Sequence, residues 1–324
     1  MDFSQIIVIL ATAIATATPL VFASVGETIT ERAGVINLST EGTIMLAAMV
    51  GFAAALATGS VIAGLAAAAV LGALVALIVA FGAITLKQSQ IAIGFVLALW
   101  CTDLSSFLGN PIVLIPGPTV PSLKVPLLQN IPLLGPLLFQ SDLLVYASYV
   151  LIVLVWVFLY HTRPGLVLRS IGEQPAAAFA RGSHVVRQRY FYTLLGGALV
   201  GVGGAAFSLD FKAGWTYHLT AGYGWIALAI VIFGGWNPLR AALGCYLFGI
   251  LQSLANVAQS NIQSVPTQVF SVAPFVLMIL VLVLTSGDWL ERALAFIPPT
   301  ARRSILRTIR TRAPAALGKA FEQD

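Results

Sequence analysis

The sequence predicts an all-α, polytopic transmembrane bundle of about 8–10 helices, some of them broken or half-length, with a weak inverted repeat. Three observations carry this. The 324 residues are 59% hydrophobic and only 9% charged, whereas a soluble domain carries about 25% charge. Eight apolar runs, residues 3–24, 41–58, 61–86, 91–108, 143–160, 190–209, 239–255 and 270–287, approach or exceed the length that spans a hydrocarbon core of about 30 Å. The charges gather beside the ends of these runs, as they do in membrane proteins. The net charge of +5 is therefore a membrane-topology signal and gives no support to nucleic-acid binding.

The chain opens on MDFSQIIVILATAIATATPLVFA. This resembles a secretory signal but lacks a basic start and carries Asp2, so it is expected to stay as the first transmembrane helix. Next comes GETITERAGVINLSTEG, residues 26–42, a polar wedge between two apolar runs. Charged groups at membrane depth are costly and usually functional. Glu27 to Arg32 reads equally as an irregular segment lining a gate and as a solvated turn in which Arg32 pairs with Glu27 or Glu31. Asn37, Ser39, Thr40 and Glu41 are expected to line a pathway.

Residues 109–142 hold seven prolines, which excludes a continuous helix. Their apolar character predicts a compact cap on the bundle. Residues 161–189 form the longest basic interruption. Within it Glu173 and Gln174 precede Pro175, which suits the first helical position. Ala176, Ala177 and Ala178 then favour helix, Arg181 suits its last turn, and Gly182 its left-handed cap. A helix of about seven residues is unstable alone and needs a docking partner. The run 225–235 is too short to span and reads as half of a broken helix. Its start, AGYGWIALA, echoes TEGTIMLA at residues 40–47 in inverted orientation.

Placing the basic stretch after residue 300 in the cytoplasm puts every Lys and Arg except Lys124 and Lys212 on that side. It puts the N-terminus and residues 109–142 and 210–224 outside. The chain is expected to be one membrane domain, residues 1–300, followed by a basic cytoplasmic tail, 301–324. Cys101 and Cys245 lie in apolar runs as packing residues, and His161, His184 and His218 show no metal spacing. Asp103 reads as a headgroup-facing acid or as a partner of Thr102 or Ser105. Gln252, Asn256, Gln259, Asn261 and Gln263 are expected to run from a helix end into an outer loop. Nucleophile-elbow, zinc-protease and phosphate-loop patterns are absent, Gly318-Lys319 failing the last, so any ATP would be bound by another chain.

ERAG-x-x-NL-x-x-EG, GE-x-P-x-A-A and GGWNP occur in this order across nearly the whole chain. This combination resembles the permease subunits of bacterial ABC importers for nucleosides and simple sugars, within the branched-chain amino acid/ribose-type permease family. The resemblance implies a transport subunit without bond chemistry or its own cofactor, ATP and Mg being held by a partner ATPase. It implies a second permease chain, a paralogue or a copy, an extracytoplasmic solute-binding protein, and a multi-pass place in a bacterial plasma membrane. Gly172 to Gly182 would be the coupling helix seated in the ATPase. Gly222, Tyr223, Gly224 and Trp225 would face Asn37 to Glu41 across the pathway, with Trp215, Tyr223 and Trp225 as candidates for stacking a base. The family usually has Gly where Ser39 stands and Arg where Tyr223 stands. The alternative reading is an ion-coupled secondary transporter using Asp103 or Glu41.

Overall fold

A computed structural model describes residues 3–123, 135, 139–262, 265–286 and 312–322. Lys124, Gln263, much of the proline-rich stretch and residues 301–311 of the basic tail lie outside these. The helices are α1 (Phe3–Arg32), α2 (Thr40–Thr58), α3 (Val61–Ala80), α4 (Gln90–Gly109), α5 (Leu143–His161), α6 (Arg163–Glu173), α7 (Pro175–Ala180), α8 (Val185–Ala206), α9 (Tyr223–Phe233), α10 (Pro238–Asn261) and α11 (Thr267–Ser286). Among the described residues there is no strand, only an isolated bridge between Ser122 and Asp142. Among the described residues, seven segments are long and apolar enough to cross a membrane, and Tyr223–Phe233 and Thr267–Leu280 are shorter apolar stretches. The predicted all-α membrane bundle is what forms.

Helix α8 sits at its centre, packed against α1, α2 and α3. The reason is in its sequence, which places Gly196, Gly197, Gly201, Gly203 and Gly204 on faces toward those neighbours. A Cβ on Gly201 would lie 2.1 Å from the Ala68 carbonyl oxygen, and one on Gly204 would lie 2.6 Å from that of Ile44. Small residues let membrane helices approach to backbone contact, where dispersion replaces the missing hydrophobic drive. Large apolar side chains such as Val70, Leu74, Phe95 and Phe107 remain exposed on the outside of the bundle. Both α3 and α8 end in a wider π turn, Phe81–Thr85 and Phe207–Phe211.

Several boundaries differ from those read off the sequence. The first apolar run ends at residue 24, but α1 continues to Arg32, 30 residues in all. Glu27 and Glu31 are buried at 0% and 4% exposure, so the solvated-turn reading fails for them. Hydropathy clipped the helix because it prices a carboxylate as if it faced lipid, not polar partners inside the protein. In the same way α10 runs to Asn261, so Asn256, Gln259 and Asn261 are helical rather than in a loop. Within residues 212–222, Trp215 and Thr220 are fully buried, while Lys212, Ala213, Tyr217, His218 and Ala221 are exposed. The hydroxyls of Thr102 and Ser105 donate to the carbonyls of Ala98 and Met45, and Asp103 is exposed on α4. Residues 110–123 do lie on the bundle, with Leu114 N–H on the Trp215 carbonyl and Val120 N–H on that of Leu209.

Because the α3–α8 contact is backbone on backbone, Gly201→Leu should destabilise the purified chain by about 3 kcal/mol. A fall in the melting midpoint in detergent checks this, with Val70→Leu on the exposed face of α3 as a control expected to change little.

Candidate functional site

The polar wedge after α1 builds the site. Gly34, at φ +90°, turns the chain out of α1, and residues 33–39 climb back alongside the helix they have left. The climb is visible in hydrogen bonds. Glu27 accepts from Asn37 N–H at 3.1 Å and from the Thr40 hydroxyl at 3.2 Å. Ser39 Oγ donates to Asn37 Oδ1 at 2.5 Å and meets Thr43 Oγ1 at 3.2 Å. Asn37, Ser39 and Thr40 are all fully buried. The Asn37 side-chain nitrogen has no partner among the described residues, and such a buried orphan costs about 1–3 kcal/mol. Orphans of this kind concentrate where function overrides packing.

Helix α2 therefore starts inside the bundle, and there it meets the start of α9. Glu41 accepts from the N–H groups of Gly222 at 2.6 Å, Gly224 at 2.8 Å and Trp225 at 3.2 Å. These are orphan donors of a helix N-terminus, where a carboxylate complements the dipole. The close approach needs glycine, since a Cβ on Gly224 would sit 2.3 Å from the Glu41 Cα. Gly222 supplies the left-handed entry at φ +87°. The two echoing stretches thus meet at their starts.

The other end of α9 is held by the same segment. Arg32 Nε donates to the Trp236 carbonyl at 2.9 Å and Nη2 to that of Gly235 at 3.3 Å. Trp236 in turn donates its indole N–H to Glu31 Oε2. The expected pairing of Arg32 with Glu27 or Glu31 is not made. Its carboxylate partner is Glu173 of α6, at 3.9 Å, because both neighbouring glutamates are already engaged. Sequence reasoning missed the part of Trp236 in this, although its place in GGWNP was a signal. Helix α9 has 11 residues, about 16 Å at 1.5 Å each, so Arg32 and Glu41 bracket its full length.

The predicted site residues separate into two groups. Asn37, Ser39 and Thr40 form the buried scaffold of the break. Glu41 and Gly222 are partly exposed, and Trp225 is 39% exposed. Of the aromatic candidates, Trp225 alone presents much of its surface. Trp215 is buried against Gly109. Tyr223 sits in a ring cluster with Phe207, Phe248 and Phe275, at centroid distances of 4.7, 5.7 and 5.9 Å. Both departures from the usual family pattern, Ser39 and Tyr223, are thus internal and absorbed by packing.

A second constellation lies where Arg32 meets Glu173. The short helix expected from Pro175 forms as α7, and a second helix, α6, precedes it. Helix α6 begins on a Thr162 cap, whose hydroxyl accepts from Gly165 N–H at 3.1 Å. Gln174 breaks the helical path and Pro175 starts α7, which has six residues. Arg181 follows as the cap instead of forming the last turn, and Gly182 takes φ +85°. Ala178 is buried over Ile171 and Val185, while Gln174, Ala176, Ala177 and Phe179 are exposed. A cleft of about 430 Å³ between α6 and α7 is lined by Leu166, Ser170, Gln174, Ala177 and Arg181. Among the described residues no cluster of His, Cys, Asp or Glu could hold a metal.

A bundle with several segments able to cross a membrane, in which a half-length helix meets a second helix start inside the protein, is compatible with a membrane transport subunit. Residues 9–282 match the family described as the permease component of branched-chain amino acid transport systems, and the chain belongs to that family. A Haloferax volcanii permease protein named for glucose, TsgC13, is 37% identical over 248 residues, 75% of each chain. The nucleoside ABC transporter permease protein NupC of Lactococcus lactis is 34% identical over 86% of this chain and 92% of its own length. The guanosine ABC transporter permease protein NupQ of Bacillus subtilis is 31% identical over 87% of this chain and 93% of its own. No solved structure shows a significant match.

Glu41→Ala leaves three helix-end donors without their charged acceptor and should cost about 3 kcal/mol. Glu41→Gln, which keeps an acceptor oxygen, should lose about half of that. Thermal unfolding of the two purified variants checks the order.

Proposed function

We propose that this chain is the transmembrane subunit of an ATP-driven importer for a nucleoside or a simple sugar, and that α7 is the helix on which a separate ATPase subunit acts. The observation that carries the reading is the state of α7. A six-residue helix is not stable alone in water, yet this one is fixed from beneath by Ala178 while its other face is bare. The cargo class follows the relatives, which are named for glucose, nucleosides and guanosine. ATP and Mg belong to the partner in this reading, and the permease contributes mechanical switching. Bound solute shifts the equilibrium between two states only by binding them unequally.

The remaining partners are a second permease subunit, against which the exposed faces of α9 and its neighbours would enclose the route, and an extracytoplasmic solute-binding protein. Glu41, Gly222 and Trp225 are the residues of the site that meet that route, and the Trp225 ring is suited to stack on a base or sugar. The α6–α7 face is cytoplasmic, as the Lys and Arg distribution requires, in a bacterial plasma membrane.

Ala177→Asp puts a charge on the bare face of α7 without touching the buried Ala178. The ATPase subunit should then fail to co-purify, while the chain still inserts and elutes as a folded species. In proteoliposomes the wild-type complex should take up labelled nucleoside or sugar only with ATP on the ATPase side. Uptake by the bare chain that follows a proton or sodium gradient and ignores ATP would overturn the importer reading.

A further inference from the structure

Residues 312–322 were expected to be part of a basic cytoplasmic tail, and this stretch is threaded along the bundle. Pro314 and Ala316 are buried. Ala316 N–H donates to the Gly172 carbonyl at 2.9 Å, and Ala315 N–H to Glu173 Oε2 at 3.2 Å. Gly318, left-handed at φ +75°, donates to the Gly34 carbonyl at 3.1 Å. Beyond it the Phe321 ring lies 5.9 Å from that of Phe179 on α7 and packs on the small core of Ile171, Ala178 and Val185. Glu322 pairs with Lys87 at 3.1 Å.

We infer that residues 313–322 are a transmission strap, tying α7 to the break between α1 and α2 so that a displacement of α7 reaches the break through this stretch. The inference rests on the reading of α7 as the ATPase contact. Its two working ends are Phe321, against α7, and Gly318, against Gly34 and Ile36. They are three residues apart, too short for slack. Gly318 also seats the strap closely, since a Cβ there would meet Ile36 Cδ1 at 2.9 Å.

Arg189 keeps the strap in place. It is 1% exposed, and its described partner is the Lys319 carbonyl, reached by Nη1 at 3.0 Å. Its Nε and Nη2 have no partner among the described residues. That bond offsets part of the cost of burying the Arg189 cation, which ties the strap to α8. The strap is therefore held at its middle by a charge and at its ends by a backbone bond and an aromatic contact. It leaves Ala176 and Ala177 uncovered, so it braces α7 without occupying its bare face.

The test uses the assembled transporter in proteoliposomes. Deleting residues 313–324 should leave the ATPase subunit bound and hydrolysing ATP while uptake falls about tenfold, the size of a typical coupling free energy. Phe321→Ala and Gly318→Val, which spare most of the chain, should reduce uptake in the same direction. They decide the matter if the deletion impairs insertion. Amide hydrogen exchange at residues 33–38 and 175–181 should rise together in these variants, a readout that needs no transport. Uptake within about twofold of wild type in assembled variant complexes, or unchanged exchange at 33–38, overturns the strap. So does loss of the ATPase subunit from the point variants, which would make the stretch a docking surface instead. A wild-type complex without ATP-driven uptake would sink the importer reading alone, leaving exchange to judge the strap.

Discussion

One short helix, α9, is gripped at both ends by a single segment of another part of the chain, and much of the interior follows from that. Arg32 takes carbonyls at its C-terminal end and Glu41 takes N–H groups at its start. Each charge is of the sign the helix dipole favours at that end. Between them the eight residues 33–40 need to cover about 16 Å, well within the roughly 26 Å that an extended chain of that length spans. This is why the chain leaves α1 and climbs back before starting α2, and why Glu27, at the level of the climb, is buried without being lipid-exposed. Membrane interiors tolerate irregular backbone only where protein satisfies its polar groups, and Glu27 performs that service for Asn37 and Thr40.

The grip needs a rigid frame, which the glycine-lined α8 provides. Where Gly26 approaches the Gly196 carbonyl and Gly203 that of Pro19, α1 is clamped along its length, so the positions of Glu27, Glu31 and Arg32 are fixed relative to the core. Helix α9 has a different kind of support. Its first residue, Tyr223, packs into the rings of Phe207, Phe248 and Phe275, which are non-directional contacts, whereas its two ends are held by the two charges. The frame is stiff and the gripped helix is positioned by polar contacts that can exchange partners.

The helical class, most of the spanning segments and the half-length of α9 were legible because apolar run length is a direct consequence of bilayer thickness. The start of α7 at Pro175 and the left-handed Gly182 were legible because both are local backbone chemistry. The contact of Glu41 with Gly222 and Gly224 was legible only as a juxtaposition of two polar breaks, since the bond joins residues 181 positions apart. What could not be read were the partners of charges. Arg32 looked paired with its neighbours at Glu27 or Glu31, and its real partners come from α6 and from the turn after α9. Residues 312–322 looked like part of a basic cytoplasmic tail, and a stretch that packs through backbone bonds leaves little trace in its side chains.

These features together determine what the α6–α7 face is tied to. Helix α6 is held to α1 twice, through the Arg32–Glu173 pair and through Gly172, where a Cβ would come within 2.2 Å of the Arg32 carbonyl oxygen. The same Arg32 holds the end of α9. The α6 end of that face is therefore in contact with the residue that also holds the end of the half-helix. An 11-residue helix has too little intrinsic stability to hold a position by itself. Its location follows whichever end contacts survive, and a change in the separation of Arg32 and Glu41 has either to slide it or to release one end. Close-packed interiors respond to such demands by switching between discrete arrangements instead of bending continuously. The segment from Arg32 to Glu41 is built to make that choice.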